Sequence, residues 1–566
     1  MEVLKLLQET YLGKIKMIYI DPPYNTGSDF VYEDDFAEET GRYIANSGQY
    51  DEEGNRLVQN TESNGRFHTD WLNMMYPRLR MAKTFLSDDG AIFISIDDHE
   101  VDNLKKMCDE TFGGSCFVAD ISWQRTYSTR NDSQGIVSEV EHIIVYSKQP
   151  GWSPNKLPRT EEMDSIYKNP DNDIALWTSD NPFAPGAATH QGMVYAIQHP
   201  FTGEMLYPPN GRCWAYGQEQ MLEIMRCWCD YELKPLDDKQ RRADICGISE
   251  DDLRIDAQAI ILAESLEISA SKAKDVYNRG TWPKLYFTKG GFGGIRRKTY
   301  LGDVGGKLPT NLWPYSEVGH TDEAKKELKA LFDDNAPFDT PKPVRLIDRI
   351  LTIASDNDSL IMDFFSGSAT TAHAVLRKNA EDGGQRKFLL VQVPEKSNSP
   401  KYETLCEIGK ERIRRAGAKI KADSPLTTQD LDVGFRVLKC DESNMKPVYY
   451  APADTVQEQM DLLTDNIKED RTPEDLLFQV MLDMGVPLSS TIEVTEIAGK
   501  KVFDVGGNFL LACFDKDVTE ETITEVAKRG PYYFAMRDSS MADDTVAANF
   551  EQIFRTYSPN TVRRIL

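Results

Sequence analysis

Short apolar runs alternate with stretches of helical periodicity over the first part of the chain. The runs at 14–20, 91–97 and 141–148 predict strands, and the amphipathic spacing over 69–86 predicts a helix between the first two. Strands that alternate with helices in this way are typical of a parallel or mixed α/β sheet.

The same alternation returns after residue 341. Helix, strand, helix and strand are predicted there in that order, over 342–355, 359–363, 368–379 and 386–393. Between the two parts lies 151–335, which is rich in Pro, Gly, Asn and aromatic residues and has one long helical pattern near 250–277. We therefore predict that 151–335 is an inserted domain.

The length of 566 residues is enough for three or four domains of about 150 residues each. We predict four segments, with the boundaries 1–150, 151–335, 336–423 and 424–566. The acidic last segment would form a separate small α+β domain. No run of about 18 apolar residues is present, so no membrane span is predicted.

The formal net charge of −26 argues against a simple nucleic-acid coat protein, because such proteins bind phosphates through Lys and Arg. Basic clusters at 239–242 and 293–298 could still give an acidic protein a local basic face. The nine cysteines lack the spacing of a zinc site or a disulfide framework. They predict reduced thiols in a cytoplasmic protein, and we expect no metal site.

The first predicted strand ends abruptly at Asp21-Pro22-Pro23-Tyr24. The two prolines cannot donate backbone hydrogen bonds, so they end the sheet ladder and hold the backbone rigid. A carboxylate and an aromatic ring on such a platform suit a flat, polar ligand.

A second candidate site follows the predicted strand that ends at Asp363. The small residues Ser366-Gly367-Ser368 open a helix there, so a ligand could approach the backbone and the free N–H groups of the helix closely. The loop lacks the glycine pattern of a dinucleotide fold and the lysine of a P-loop, and on its own it could be an ordinary tight turn. Both candidate stretches follow strands, and open α/β sheets bind ligands at strand carboxyl ends.

The two stretches together resemble a known family. "DPPYNTGSDFVYEDDF" at 21–36 and "HTDWLNMMYPRLRMAKTFLSDDGAIFISIDDHE" at 68–100 resemble the β class of adenine-N6 DNA methyltransferases. More narrowly, they resemble the modification (Mod) subunit of type III restriction–modification systems. "DFFSGSATTAHAV" at 363–375 resembles the S-adenosylmethionine loop of that family, and the order of the two motifs is that of the β class.

The resemblance implies an α/β fold with a circularly permuted Rossmann-like methyltransferase sheet, whose catalytic half is 1–150 and whose cofactor-binding half is 336–423. The segment 151–335 would be the target-recognition domain, and 424–566 a small α+β domain for protein interaction. The implied activity is S-adenosylmethionine-dependent methylation of N6 of a flipped adenine in a specific double-stranded DNA site. The implied partners are a second copy of the chain and a helicase–nuclease restriction subunit.

The resemblance also implies residue roles. Asp21 and the carbonyl of Pro22 would accept hydrogen bonds from the adenine 6-amino group, Tyr24 would stack on the base, and Pro23 completes the catalytic motif. The implied cofactor-binding residues are Lys342, Pro343, Asp363, Phe364, Ser366, Gly367, Ser368, Thr370, Gln392 and Glu395. Phe364 could contact the cofactor or plug the sheet, and either Gln392 or Glu395 could reach the ribose.

Basic and aromatic residues of 151–335 are expected to contact DNA. The predicted DNA-binding residues are Lys284, Lys289, Arg296, Arg297 and Lys298, with Trp282, Tyr286 and Phe292 nearby in sequence. His68 and His99 are predicted to be structural or surface residues, since methyl transfer needs no strong base.

Two other functions stay open. The chain could be a stand-alone DNA methyltransferase for adenine N6 or cytosine N4, since Asp before Pro-Pro-Tyr favours adenine without excluding cytosine. It could also be a non-catalytic DNA-specificity subunit. The family usually carries a Gly-Asp-Asn turn before the catalytic motif, whereas this chain begins just after the expected position of that turn, so we expect a shortened N-terminus.

Overall fold

The computed structural model describes residues 1–27, 67–127, 136–253, 257–333, 336–446 and 467–566, so part of the quoted catalytic motif, 28–36, lies outside the described residues. The chain forms two compact units. The inserted unit is Lys156–Leu308, and the sheet unit combines Met1–Asn155 with Pro309–Leu566. The inserted unit is shorter at both ends than the predicted 151–335, and 424–566 belongs to the sheet unit.

Seven strands of the sheet unit form one sheet. They are β1 (Ile15–Ile20), β2 (Leu86–Ile96), β3 (Phe117–Gln124), β4 (Val140–Ser147), β5 (Leu312–Trp313), β6 (Leu360–Asp363) and β7 (Lys387–Leu390). Their order across the sheet is β5-β3-β4-β2-β1-β6-β7. β1 is parallel to β2 and β6, β6 is parallel to β7, and β4 is antiparallel to β2 and β3. The predicted α/β fold with a mixed sheet is confirmed.

The centre of the sheet joins strands that are far apart in sequence. β1 pairs with β6 in parallel, with Met17 opposite Ile361 and Ile18 opposite Met362. Both strands are mostly apolar and buried, as is typical of parallel strands inside an α/β protein. Because parallel strands end at the same edge of a sheet, Asp21 after β1 and Asp363 at the end of β6 lie at one edge.

Eight helices of the sheet unit accompany these strands among the described residues before 424. They are α1 (Glu2–Tyr11), α2 (Phe67–Phe85), α3 (Val101–Phe112), α4 (Tyr315–Val318), α5 (Thr321–Leu331), α6 (Val344–Ala354), α7 (Thr370–Asp382) and α8 (Leu405–Asp423). α6 begins directly after Pro343, and its apolar residues recur at helical spacing, so that Ile347, Ile350 and Ala354 are buried. This packing anchors the segment that carries Lys342.

The C-terminal part of the sheet unit adds a second sheet. Its elements are the helices α9 (Pro473–Asp483), α10 (Glu520–Arg529) and α11 (Asp544–Tyr557), and the strands β8 (Ile492–Ile497), β9 (Lys500–Val505), β10 (Leu510–Cys513), β11 (Tyr533–Met536) and β12 (Val562–Ile565), which lie side by side in that order.

The two ends of the chain share a hydrophobic core. Leu477 and Met481 of α9 belong to the same buried cluster as Leu7 and Tyr11 of α1. The backbone N–H of Leu488 also donates a hydrogen bond to the Tyr11 hydroxyl at 3.0 Å. The C-terminal elements therefore support the sheet that carries Asp21.

Small sheets and short helices build the inserted unit. Its strands are Trp177–Asp180, Phe183–Pro185, Ile197–Gln198, Met205–Leu206, Arg212–Trp214, Tyr231–Lys234, Ala259–Leu262, Leu285–Phe287 and Ile295–Tyr300, and its α-helices are Glu161–Asp164, Gln218–Met225, Lys239–Cys246 and Leu266–Arg279.

The long helix predicted near 250–277 was wrong. Ala259–Leu262 is a strand paired with Tyr231–Lys234, and the helix covers only Leu266–Arg279. The β-branched pair Ile260 and Ile261 fits a half-buried strand better than the first turns of a helix. Over both units, the described helices include none that is long and apolar enough to cross a membrane.

Candidate active site

The carboxylate of Asp21 is held by Lys342 and Tyr24. The Lys342 ammonium lies 2.7 Å from each of the two Asp21 oxygens, and the Tyr24 hydroxyl lies 3.0 Å from Oδ1. Lys342 also donates to the Tyr24 hydroxyl at 2.8 Å, with its ammonium 5.0 Å from the centre of the Tyr24 ring. Lys342 was predicted to belong with the cofactor loop, whereas the structure places its ammonium with the catalytic motif.

Burial and charge set the ionisation of this group. Loss of solvent raises the pKa of Asp21, although the ammonium of Lys342 opposes the rise. Burial alone would lower the pKa of Lys342, but the carboxylates of Asp21 and Glu141 outweigh burial, and the pKa is raised. Burial, followed by the charges of the same two carboxylates, holds the pKa of Tyr24 well above its ordinary value. Lys342 therefore stays charged and Tyr24 stays protonated.

A second carboxylate, Glu141 near the start of β4, faces the same group. Because β4 runs antiparallel to β2, its first residues lie at the edge where β1 and β6 end. Glu141 Oε2 lies 3.1 Å from the Tyr24 hydroxyl and 3.7 Å from the Lys342 ammonium, and Oε1 accepts a hydrogen bond from Arg125 at 2.8 Å. The Glu141 side chain is only 7% exposed, so two acids and two cations are paired in a mostly buried space.

The turn after the two prolines is fixed by residues from elsewhere in the fold. The indole N–H of Trp71 donates to the Pro23 carbonyl at 2.7 Å. Asn25 has a left-handed φ of 61° and donates to the buried carboxylate of Glu100 at 2.6 Å. His68 lies 2.6 Å from the same Glu100 oxygen, so it belongs to the support of the turn.

The loop after β6 is organised by Asp363. Its carboxylate accepts hydrogen bonds from the Thr371 hydroxyl at 2.6 Å and from the backbone N–H of Phe365 at 3.1 Å. Gly367 adopts a φ of 48°, which favours glycine, and a methyl group added there would meet only Phe338 within 4 Å, at 3.8 Å. The loop therefore leaves space beside its backbone at Gly367.

Burial raises the pKa of Asp363 to about 7, against the hydrogen bonds from Thr371 and Phe365, which lower it. Asp363 is 2% exposed, and the negative charge of Asp21 adds to the rise. A cation bound nearby would favour the ionised carboxylate.

Arg412 of α8 supports the loop from behind. Its fully buried guanidinium donates to the Ser368 hydroxyl at 2.8 Å and to the Thr370 hydroxyl at 2.7 Å. Burial lowers the pKa of Arg412 to about 10, so the side chain is still charged at neutral pH. Gly409, almost one turn earlier, faces the same loop, and a methyl group added there would lie at ordinary contact distance, 3.4 Å, from Cβ of Ala369.

The remaining predicted cofactor residues lie around this loop or after β7. The side chain of Gln392 accepts a hydrogen bond from the Gly367 N–H at 2.7 Å, and Ser366 N–H donates to the Val391 carbonyl at 3.3 Å. Phe364 is 6% exposed and packs into the core of the sheet unit, which favours a plug over a cofactor contact. The contact of Gln392 or Glu395 with a ribose stays a prediction.

In the inserted unit, four of the five predicted DNA-binding residues remain candidates. Lys284 and Lys289 are exposed. Arg296 and Arg297 are half-buried and donate hydrogen bonds to Asn181 and Asp180 respectively. Part of the N–H groups of each guanidinium are therefore already used within the protein, and only the remaining ones could contact DNA.

Lys298 was predicted to contact DNA, and that prediction is wrong. The residue is 1% exposed, and its ammonium forms ion pairs with the buried carboxylates of Asp171 and Asp173. Tyr286, predicted to meet bases, is 6% exposed and belongs to the core of the inserted unit. Lys298 and its neighbour Arg297 lie on opposite faces of strand Ile295–Tyr300, and Asp171 and Asp173 pair with Lys298 on its face.

Sequence reasoning missed Glu141, Trp71 and Arg412. A signal existed for two of them. Glu141 opens the otherwise apolar strand "EHIIVYS", and Arg412 lies among the buried residues of α8. Charged side chains are rarely buried unless they are paired, so a charge at a core position indicates a partner that sequence alone does not name.

The fold and the site together define an α/β enzyme whose active site lies at the carboxyl edge of its parallel strands. The chain belongs to the DNA methylase family, whose model matches residues 15–208 and 257–416. The gap in this match lies within the inserted unit.

Curated relatives include two subunits of restriction–modification enzymes. The chain is 35% identical over 453 residues to the type III StyLTI Mod subunit of Salmonella typhimurium, with 77% of this chain and 58% of the relative covered. It is 29% identical over 470 residues to the type III EcoPI Mod subunit of Escherichia phage P1, with 77% and 64% covered. The chain thus spans about three-fifths of the length of these relatives.

A type II methyltransferase, M.KpnI of Klebsiella pneumoniae, is 28% identical over 404 residues, with 70% of this chain and 79% of the relative covered. Among solved structures, the PvuII DNA methyltransferase (cytosine-N4-specific) matches 73% of this chain and 90% of its own, at 12% identity and a TM-score of 0.29. That low TM-score supports no further argument.

Proposed function

We propose that the protein transfers the methyl group of S-adenosylmethionine to N6 of an adenine flipped out of a specific double-stranded DNA site. The observation that carries the proposal is the pairing of β1 with β6, because it brings Asp21 and the 363–370 loop to one edge of the sheet. One loop would then hold the base and the other the cofactor.

The residues around the loop fit S-adenosylmethionine. Space beside Gly367 suits a closely bound ligand, and Asp363 holds the shape of the loop through its hydrogen bonds with Phe365 and Thr371. The proposed cofactor residues are Pro343, Asp363, Ser366, Gly367, Ser368, Thr370, Gln392 and Glu395, with Lys342 beside the catalytic motif and Phe364 packed in the core. When bound, the cofactor supplies an electrophilic methyl group on a sulfonium.

The catalytic motif would orient the base. Asp21 and the Pro22 carbonyl would each accept one hydrogen bond from the 6-amino group, which makes its nitrogen more nucleophilic. Tyr24 would stack on the base, a contact worth ~1–3 kcal/mol. Trp71 holds the rigid Pro22-Pro23 pair at the Pro23 carbonyl. This contact fixes the positions of Asp21 and Tyr24 relative to each other.

We further propose that the chain is the modification and DNA-recognition subunit of a type III restriction–modification system, supported by the similarity to Mod subunits. It would act in the cytoplasm as a homodimer with a helicase–nuclease subunit. The inserted unit would read DNA through Lys284, Lys289, Arg296 and Arg297, and 424–566 would bind protein. The similarity to M.KpnI supports a second candidate, a stand-alone DNA methyltransferase for adenine N6 or cytosine N4.

Tritiated S-adenosylmethionine and genomic DNA from a strain without methylation test the proposal. We expect label in N6-methyldeoxyadenosine after digestion of the DNA to nucleosides. Label in N4-methyldeoxycytidine would instead support the cytosine alternative. Specific DNA binding without any label would identify a non-catalytic specificity subunit.

Substitution of Asp21 tests whether this residue is needed for methyl transfer. Asp21→Ala should abolish transfer and leave cofactor affinity largely intact in calorimetry, because Asp21 orients the amine. Asp88→Ala, which removes an exposed acid in the turn within β2, is the matched control and should transfer methyl groups normally. Full activity of Asp21→Ala would refute the proposed role.

A further inference from the structure

Lys342 neutralises the carboxylate of Asp21 that the proposed reaction needs. An ammonium group has three hydrogens, and Lys342 has three acceptors within 2.8 Å, namely the two oxygens of Asp21 and the hydroxyl of Tyr24. The adenine amine would have to donate to the same carboxylate. The flipped base and Lys342 would therefore share the negative charge of Asp21, although the carboxylate can accept a further hydrogen bond.

A fixed ammonium beside the attacking nitrogen would also oppose methyl transfer. The nitrogen gains positive charge as its new bond forms, and like charges repel more strongly in a partly buried site than in water. Catalysis gains only from contacts that improve in the transition state. The ammonium of Lys342 should therefore be away from Asp21 when the amine is in place.

Glu141 offers the ammonium a second carboxylate within reach. Its Oε2 lies only 3.7 Å from the Lys342 ammonium, and its other oxygen is held by Arg125. Tyr24 already connects the two acids, because its hydroxyl lies within 3.1 Å of both. The flexible four-carbon stem of lysine allows such a short movement without a change of backbone.

We infer that the Lys342 ammonium moves from Asp21 to Glu141 when the flipped base enters, and that Glu141 is the positioning residue that binds it. The inference rests on the proposed function. In the base-free protein Lys342 neutralises Asp21. In the complex it neutralises Glu141, and Asp21 is left to the amine.

The test measures how strongly the protein prefers adenine to purine at the target position, without cofactor. Once the methylated site of the wild-type protein has been mapped, duplexes with adenine or with purine, which lacks the 6-amino group, are compared by fluorescence anisotropy at one fixed pH. The ratio of the two dissociation constants reports the contacts of the amine with Asp21 and the Pro22 carbonyl, and changes of this ratio among Lys342 and Glu141 variants report the contact with Asp21. The variants are Lys342→Met, Glu141→Gln and the double variant.

This movement of Lys342 predicts an order for the ratios of the two dissociation constants among the variants. Glu141→Gln should lower the adenine preference several-fold, because Lys342 has no second carboxylate. Lys342→Met should raise it above the wild-type value, and the double variant should match Lys342→Met, since Glu141 matters only through Lys342. Glu139→Gln, two residues earlier on the same segment, is the matched control and should not change the ratio.

Two results would overturn the inference: an adenine preference that Lys342→Met leaves unchanged, or a double variant no better than Glu141→Gln. Thermal unfolding checks each fold, and Lys342→Gln replaces Lys342→Met if the latter does not fold. The proposed function fails separately, if the wild-type protein labels no adenine in DNA. If the wild-type protein methylates adenine but the ratios do not follow the predicted order, the movement of Lys342 is refuted and the proposed function is not.

Discussion

The indole N–H of Trp71 donates a hydrogen bond to the carbonyl of Pro23 at 2.7 Å, so a residue of α2 holds the backbone that carries Asp21. Trp71 is completely buried, and its neighbours in the core include residues of α1 and β2. The position of the Asp21 carboxylate therefore depends on packing well away from the strand end.

Trp71→Phe should lower activity more than cofactor binding. The change leaves the Pro23 carbonyl without its donor and should cost ~1–3 kcal/mol in free energy of unfolding. It should also loosen the strand end, so kcat for methyl transfer should fall several-fold while calorimetric cofactor affinity stays close to wild type.

Trp152→Phe is the matched control for that experiment. The Trp152 indole likewise donates to a backbone carbonyl, that of Asp89 at 3.1 Å. Asp89 lies toward the beginning of β2, away from the edge of the sheet that carries Asp21. It should lose some stability in urea unfolding and keep the wild-type kcat. Equal losses of kcat in both variants would show that stability alone explains the effect.

Asp363 should make the protein less stable as pH rises toward neutrality. Its pKa is raised from 3.8 to about 7 in the folded protein, so between these values the folded state binds a proton that the unfolded state has lost. The stabilising contribution is greatest below about pH 4 and is lost as pH rises through about 7, with an upper limit of roughly 4 kcal/mol.

Asp363→Asn should remove this dependence. The difference in free energy of unfolding between wild type and variant, from urea titrations across the same pH range, should fall as pH rises. Asp358→Asn changes an exposed acid just before β6 and should leave the pH profile unaltered. A wild-type profile parallel to that of Asp363→Asn would contradict the raised pKa.

Arg412→Met should weaken cofactor binding. Without the guanidinium, the hydroxyls of Ser368 and Thr370 lose the donor that holds them together, and the loop loses its shape. We expect cofactor affinity to fall tenfold or more, which corresponds to about 1.4 kcal/mol. Arg414→Met, an exposed position on the same helix, should bind cofactor normally in calorimetry.

Lysines of the inserted unit should separate into two functional groups. Lys284→Ala with Lys289→Ala should weaken DNA binding and reduce the slope of log affinity against log salt by about 2, because two phosphate contacts are lost. Lys298→Met should instead destabilise the inserted unit by ~3–5 kcal/mol, because Asp171 and Asp173 lose their buried partner. An unchanged salt slope in the double variant would exclude Lys284 and Lys289 from the DNA interface.

Local sequence was sufficient for much of the sheet. Apolar runs located β1, β2, β4 and β6, because a buried strand needs no more than a short apolar stretch with a turn at its end. The two prolines after Asp21 and the small residues after Asp363 indicated which strand ends carry chemistry. Each of these signals lies within a few residues of the strand end that it marks.

Contacts between residues far apart in sequence could not be predicted from such local patterns. Lys342 and Glu141 meet at Asp21 only because β4 and β1 both flank β2 and α6 begins at the same edge, and no periodicity encodes that order. Lys298 appeared as one of several basic residues, because its carboxylate partners lie more than a hundred residues earlier in the chain. The helix near 250–277 failed because apolar residues 259–262 fit either period.

The pairing of β1 with β6 also has a consequence for biosynthesis. At 5–20 residues per second, a ribosome needs on the order of 20 to 70 s to proceed from the end of β1 to β6. Throughout that interval one side of β1 has no hydrogen-bonding partner, even after β2 has paired with the other side. A nascent chain stalled within the inserted unit would expose an apolar strand edge that can pair with other chains.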